Sequence, residues 1–581
     1  MRGDLETTKA EKALHDQTNI LPLKQLMVVF ATLAVTLLIA FIDQNGISVT
    51  LPTIAADLNA EDTISWAGTS SLIANTTFQM LYGRFSDIFG RKAVFLCAIA
   101  LLAVADLLCG LSQNAAMFYI FRGIAGIGGG GITNLAMIIV SDVVTLEQRG
   151  KYQGVIGSMV GLGNVLGPFL AAAFVQRATW RAFFYMLSPL GVIVGVISYF
   201  FLPSKPPTED FRSSVKKIDY AGSLTSSLGV ILLLIPISGG MSASTRQWAG
   251  GAYFPWNSAM VISMLAIGAL ALVSFVIVEW KFAKLPMMPG KLDQPVGLDN
   301  FRSHTNTRLV PIFKNKVVVV MLAQTFLFGM AYQSYLYYVP LYLQNAHQFS
   351  ALHSASIYVS LVVCQAVFSI LSGLYISKTK RYGEVIWLGF GFWTLGAGLT
   401  LIYDRNTKPG IIVIPLLIVG IGVGFIFQPT LVALQAHSIK SRRAVITSNR
   451  NFFRCAGGAC GLAVSAAILQ ATLRSHLPPE FKYLSSSTYS TPQLSGEDMS
   501  RVLDAYMAAS RAVFIFQVPL VGLCLLGCFM IKDRGLEPIE DVKQEDTSSE
   551  SRDEEEGISR EKTHESTRAD NGGEAPATTR R

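Results

Sequence analysis

The sequence predicts an all-α polytopic membrane protein with about fourteen transmembrane helices. Three features carry this reading: an overall composition too apolar for an ordinary soluble chain, uncharged runs that recur at spanning length, and a basic excess confined to alternate loops. Of 581 residues, 51% are hydrophobic and only 15% charged, and the mean hydropathy is +0.43. Soluble chains of this size interrupt their apolar stretches with polar faces. Here the runs 26–42, 257–278, 317–343 and 411–436 contain no charged residue. Each approaches the roughly 20 residues that a helix needs to cross about 30 Å of hydrocarbon.

Apolar runs and their breaks place spans near 25–48, 64–84, 93–112, 116–140, 152–175, 183–203, 220–239, 257–279, 317–342, 353–375, 386–403, 411–433, 453–473 and 509–531. The first 24 residues are polar and carry both charge signs, and the run that follows is too long for a cleaved signal. Basic clusters fall in the even-numbered loops: Arg84, Arg91 and Lys92; Arg149 and Lys151; Lys216 and Lys217; Lys281 and Lys284. Lys378, Lys380 and Arg381, then Lys440, Arg442 and Arg443, continue the series. The intervening loops are poor in Lys and Arg, and the first carries Asp57, Glu61 and Asp62. The positive-inside rule then places both termini in the cytoplasm and requires an even number of spans. Twelve is the alternative count, if two weak central spans stay out of the bilayer. The same loops account for the net charge of +8, so no nucleic-acid partner is expected.

Seven cysteines lie almost entirely within apolar segments and read as small packing residues, not as a disulfide framework or a metal site. No metal or cofactor is expected. The glycine run Gly128 to Gly131 lacks the lysine of a phosphate-binding loop and sits inside a span. An enzyme is therefore not indicated, nor is a pump driven by ATP.

The turn after the second span reads Gly83-Arg84-Phe85-Ser86-Asp87-Ile88-Phe89-Gly90-Arg91-Lys92. Gly83 and Gly90 permit tight helix ends, Asp87 can accept from an arginine or a helix end, and Arg91 and Lys92 face the cytoplasm. This turn resembles the signature of the major facilitator superfamily, in which a charged latch breaks and re-forms as two halves rock. In the fourth span, Arg122-Gly123-Ile124-Ala125-Gly126 resembles the family's arginine element, with Ala125 where a glutamine is usual. In the fifth, Gly157, Gly161, Gly163, Gly167 and Pro168 resemble the antiporter motif, whose terminal glycines are here Ala171 and Ala172. Asp43 followed by Leu51-Pro52 resembles the first span of fourteen-span drug:proton antiporters. Trp180-Arg181, Gly422 to Pro429 with Gln435, and Arg450 to Arg454 with Gly457-Gly458 extend the likeness. It covers residues 25–531. The segment 141–154 is similar to fungal toxin and drug exporters and to yeast vacuolar basic amino-acid transporters.

The resemblance implies a cytoplasmic tail at 1–24 and two six-helix bundles at 25–203 and 317–532. Two linking transmembrane helices fall within 204–285 and a cytoplasmic loop at 286–316. An external loop is expected at 475–508 and a disordered cytoplasmic tail at 533–581. The loop holds about twenty extra residues, 290–309, between Pro286-Met287-Met288-Pro289 and Pro311-Ile312-Phe313-Lys314-Asn315. Gly290-Lys291 can encode a splice donor and Leu309-Val310 an acceptor, so the insertion reads as a retained intron or as a genuine flexible loop.

Asp43, Asp106 and Arg122 are ionisable groups inside apolar runs, where function is the default expectation. Asp43 and Arg122 are expected to form the proton-coupling pair; a static pair stitching two helices is the alternative. Asp106 matches no motif, and its role stays open. The aromatic and amide residues Tyr332, Gln333, Tyr335, Tyr337 and Tyr338, with Gln428 and Gln435, are candidates for the substrate path, although tyrosines also form interfacial belts. Expected partners are a small-molecule substrate, protons and the lipid bilayer, with a monomeric chain. The resemblance implies proton-coupled export of drugs, toxins or a fungal secondary metabolite by alternating access, at the plasma membrane. Vacuolar uptake of basic amino acids and a transporter-like nutrient sensor are the alternatives.

Overall fold

A computed structural model describes residues 23–60, 63–64, 66–203, 220–241, 254–255, 258–281, 316–438, 443–481, 496–531 and 533–536. The 290–309 insertion, residues 1–22 and 537–581, and residues 482–495 of the expected external loop lie outside the described residues. Helices α1 (Leu23–Asp57), α2 (Trp66–Phe89), α3 (Arg91–Leu111), α4 (Ala115–Val143), α5 (Leu146–Arg177) and α6 (Trp180–Phe201) build the N-terminal bundle. Next come α7 (Tyr220–Gly239) and α8 (Ala259–Lys281), joined by a two-residue parallel bridge. The C-terminal bundle contains α9 (Lys316–Asn345), α10 (Ala351–Thr379), α11 (Gly383–Leu399), α12 (Pro409–Phe427), α13 (Pro429–Ala436), α14 (Arg443–His476) and α15 (Glu497–Gly527).

Helices stand at all of the predicted spans. Twelve are long and apolar enough to cross a membrane by length and composition. Two fall outside that set, for different reasons. In α2, Asn75, Thr76, Thr77 and Gln79 are polar yet buried: Asn75 and Gln79 meet Cys455 of the opposite bundle, and Thr76 and Thr77 donate to carbonyls of their own helix. In α7 the apolar stretch runs only from Tyr220 to Pro236. The rest of the lipid-facing surface is apolar: Leu270 and Val273 on α8, and Val192, Val196 and Phe200 on α6, are exposed. In hydrocarbon such residues carry no solvation cost, and the helices satisfy their own backbone groups.

Local chemistry sets the breaks. Asn114 caps α4 by accepting from the Met117 N–H at 2.9 Å, and Ser350 caps α10 through His353 at 3.2 Å. Gly90 turns the chain between α2 and α3 with φ of 90°, a region glycine enters without a steric penalty. Two boundaries differ from the sequence expectation. The span expected at 411–433 is divided at Gln428, because Pro429 cannot donate to a continuing ladder. Helix α14 begins about ten residues before the apolar run at 453, since the polar residues between Arg443 and Asn451 are buried, Ser448 and Asn451 against Asn134 of the other bundle.

The bundles meet along two seams, α5 against α10 and α2 against α14. Each seam pairs the fifth span of one bundle with the second span of the other, as expected for two related repeats. Glycines bring the backbones together. A Cβ on Gly150 would lie 2.7 Å from the Gly373 carbonyl oxygen, and one on Gly154 would lie 2.5 Å from that of Ser369. The pair α7 and α8 flanks the α2–α14 seam, where Val230 and Leu234 pack with Ile73 and Ala459.

Candidate functional site

The conserved-looking turn chemistry of 83–92 lies at one end of the N-terminal bundle. Asp87 pairs with Arg91 at 2.6 Å and with Arg84 at 3.7 Å, and Arg91 reaches Asp142 on α4 at 2.9 Å. The Lys92 ammonium sits 5.2 Å from the Tyr199 ring centroid. These charged contacts tie α2, α3, α4 and α6 together within one bundle. Contact with the other bundle is made beside them, by Gly83. A Cβ there would lie 2.3 Å from the Ser448 hydroxyl oxygen, so only glycine permits this approach. Asn134 donates to Ser448 at 2.7 Å and accepts from Asn451 at 3.1 Å. Arg149 donates to Gln435 at 3.3 Å and to the Ser141 carbonyl. The two bundles are thus drawn together at the Asp87 end.

Deeper in the N-terminal bundle, Arg122 donates to Asp43 at 2.5 Å, and the two residues are 0% and 3% exposed. The sequence places them 79 residues apart; the crossing of α1 and α4 brings them into contact. Phe184 lies 5.9 Å from the guanidinium carbon. Asp106 on α3 joins them, 1% exposed and within hydrogen-bond reach of Asp43. The antiporter-like glycines hold α1 in place on its other side. A Cβ on Gly163 would lie 2.5 Å from Phe41 Cβ, and one on Gly167 would lie 2.7 Å from the Ile42 carbonyl oxygen. Those contacts bracket Asp43. Pro168 is accommodated inside α5 immediately after them.

A hydrogen-bonded chain leads from this point across the seam. Asn45 donates to Asn164 at 2.9 Å, Asn164 donates to the Tyr332 hydroxyl at 2.9 Å, and Tyr332 donates to Gln365 at 3.1 Å. Beside it, Arg450 is 1% exposed and donates to the Phe427 carbonyl and to Asn451 at 3.1 Å. Arg454 lies one turn along α14, its guanidinium carbon 5.6 Å from the Phe427 ring centroid. The Nε atoms of both arginines are buried without a hydrogen-bond partner. Neither one forms an ion pair among the described residues, and α9, α10, α12, α13 and α14 contain neither aspartate nor glutamate.

The other candidates divide by position. Gln428 lies at the seam against Gly157, and both of its side-chain polar atoms are buried without a partner. Gln333 is half-buried beside Gly458. Tyr335 packs on Trp393 inside the C-terminal bundle, with ring centroids 6.3 Å apart. Tyr338 donates to the Leu462 carbonyl at 3.2 Å within the packing of α9, α14 and α15. Gln435 sits at the closed end with Arg149 and Thr447. Asn45 and Asn164 escaped the sequence reading, although single amides inside apolar runs were the available signal. The described cysteines are free, and no group of metal-ligating side chains occurs among the described residues.

Outside the spans, Asp57 accepts from Arg181 at 2.5 Å and from Trp180 at 3.1 Å. These contacts, Arg181 foremost, hold its carboxyl below the usual range. At the other end Tyr382 is pushed up to about 12 by burial, and burial lowers His437.

Residues 33–462 match the family model described as Major Facilitator Superfamily. The chain is 46% identical over 562 residues to "Citrate exporter 1" of Yarrowia lipolytica, covering 95% of this chain and 79% of that one. It is 41% identical over 531 residues to "MFS-type transporter clz4" of Cochliobolus lunatus, covering 91% and 90%. Among solved structures, the proton:xylose symporter XylE aligns with a TM-score of 0.55 at 14% identity, over 90% of this chain and 99% of that one.

Proposed function

The chain belongs to the Major Facilitator Superfamily, and we propose that it is a proton-coupled exporter of small carboxylate-bearing anions. The observation that carries the substrate class is the pair Arg450, buried, and Arg454, half-buried, which form no ion pair among the described residues, in a bundle whose helices α9, α10, α12, α13 and α14 contain no acidic residue. A guanidinium presents a planar fork that binds carboxylate bidentately. An uncompensated buried cation is costly unless a ligand supplies the counter-charge. The same absence of acidic groups disfavours lysine-like and cationic drug substrates. A second reading, a flat uncharged metabolite, is favoured by the stacked Phe328 and Tyr332 rings, 5.5 Å apart at 12°.

Drive comes from the charge centre at Asp43 and Arg122, with movement by alternating access about the two seams. The Asn45–Asn164–Tyr332 chain runs from α1, two residues past Asp43, to the Phe427 ring that both arginines face. On this reading the chain acts as a monomer at the plasma membrane with both termini cytoplasmic, the orientation that the positive-inside pattern supports.

The name of the Yarrowia lipolytica relative makes citrate the first probe. In proteoliposomes with an imposed pH gradient, citrate movement is expected to follow the gradient. Arg450→Gln is expected to reduce it at least about tenfold, the loss of one charge-assisted hydrogen bond. Lysine or azole movement without citrate movement would overturn the anion reading.

A further inference from the structure

We propose that Asp106 is the proton-carrying group of this transporter, holding one proton beside an Asp43–Arg122 pair that stays ionised. The inference deepens the proton-coupled reading above and rests on it for its role in transport. Asp106 is 1% exposed, and neither of its carboxyl oxygens receives a hydrogen bond from a protein donor among the described residues. Its charged neighbours are Asp43 from α1 and Arg122 from α4. Two carboxylates and one guanidinium would leave a net negative charge in a site shielded from water, which is strongly disfavoured. One bound proton makes the three groups neutral together.

Geometry decides where that proton sits. Asp43 accepts directly from Arg122 at 2.5 Å, a charge-assisted hydrogen bond. Asp106 has no such donor, yet it lies within hydrogen-bond reach of Asp43. Two ionised carboxylates share no hydrogen between them. A proton on Asp106 supplies it, donating to Asp43 and satisfying an otherwise orphaned buried group.

The other polar groups near α3 are already engaged. Tyr185 on α6 donates to the Gly110 carbonyl, and Tyr82 on α2 donates to the Ile127 carbonyl. Arg84 and Asp87 pair at the far end of α2. Cys109, one turn along α3, is a free cysteine and is buried. Protonation and release at Asp106 add and remove one positive charge without any bond change beyond the O–H. Because Gly163 and Gly167 press α5 against α1 around Asp43, a change in the trio reaches the seam through Asn45 and Asn164.

The test uses the full chain in lipid, with two readouts. The first is the infrared carbonyl stretch of a protonated carboxyl at neutral pH. It is expected in the wild type and lost in Asp106→Asn, a change of nearly the same shape. Persistence of the full band in Asp106→Asn would overturn the proposal. The band is also expected to vanish in Asp43→Asn, because Asp106 alone then balances Arg122; a band retained there would overturn the shared proton. The second readout is flux. Asp106→Asn is expected to lose gradient-driven citrate accumulation at least tenfold while citrate counterflow stays within twofold, and Asp106→Glu is expected to recover part of the drive. Gradient-driven flux that survives in Asp106→Asn would overturn the assignment. A wild type indifferent to the gradient would overturn the coupling reading and the transport role, while the infrared band would still decide whether Asp106 binds a proton.

Discussion

In the N-terminal bundle one buried arginine, Arg122, meets a carboxylate at 2.5 Å and has a second beside it. In the C-terminal bundle a second buried arginine, Arg450, meets only carbonyl, amide and hydroxyl oxygens and the face of Phe427, 5.2 Å away. Both residues are almost wholly shielded from solvent, so the difference lies in charge balance alone. A balanced centre can exchange a proton with little electrostatic cost, since each state stays near neutrality. An unbalanced cation instead awaits an anion. On the proposed reading protons belong to one bundle and substrate to the other, with the Asn164–Tyr332 hydrogen bond as a bridge between them.

The sharpest way to break this comparison is to remove each arginine in turn. Arg122→Leu leaves two carboxyl groups buried without their cation, and losing one partner of a buried ion pair typically costs about 3–5 kcal/mol. A large fall in the thermal unfolding midpoint in detergent is expected, with partial recovery in the double variant Arg122→Leu/Asp43→Leu. Arg450→Gln removes no ion pair, so its midpoint should move little while citrate transport falls. If Arg450→Gln unfolded the protein and Arg122→Leu did not, the division of labour would collapse.

A smaller effect tests the bridge. Tyr332→Phe keeps the ring that stacks on Phe328 but removes the hydroxyl that joins Asn164 to Gln365. A neutral hydrogen bond contributes about 1 kcal/mol net, so pH-gradient-driven flux is expected to fall roughly fivefold while counterflow is spared. Equal losses in both assays would mean that Tyr332 contacts substrate and does not couple the halves.

Much of this architecture is legible in the sequence because hydrocarbon imposes a simple rule: segments facing lipid must be apolar and about 20 residues long. The rule weakens where a helix faces protein. The polar residues between Arg443 and Asn451 leave that segment outside the expected span, yet it opens α14 and is buried at the closed end. Helix α2 is also only weakly apolar, with Asn75, Thr76, Thr77 and Gln79 inside it. At the site, Asp43 and Arg122 stood out as charges in apolar runs, and the family likeness suggested the pair. Neither signal could place Asp106 against them, because which face of α3 meets α1 depends on three helix crossings that leave no periodic trace. Tyr335 and Tyr338 show the converse limit. Tyrosine at membrane depth is equally suited to packing, and these two rings pack within one bundle.

The mildest test uses an ion pair with the same chemistry and the opposite setting. Asp57 and Arg181 are also 2.5 Å apart, but their side chains remain 44% and 32% exposed, so solvent screens most of their attraction. Arg181 and then Trp180 hold the Asp57 carboxyl below its ordinary value of 3.8. A carboxyl lowered on folding contributes stability that is present above that ordinary value and is lost as pH falls through the lower folded one. Asp57→Asn is therefore expected to leave neutral-pH transport within about twofold, the scale of an exposed pair. It should also make the unfolding midpoint slightly less sensitive to acid below about pH 4, near the unperturbed aspartate range. A loss as large as that of Arg122→Leu would show that burial is not what separates the two pairs, and the contrast between balanced and exposed charge would need a different cause.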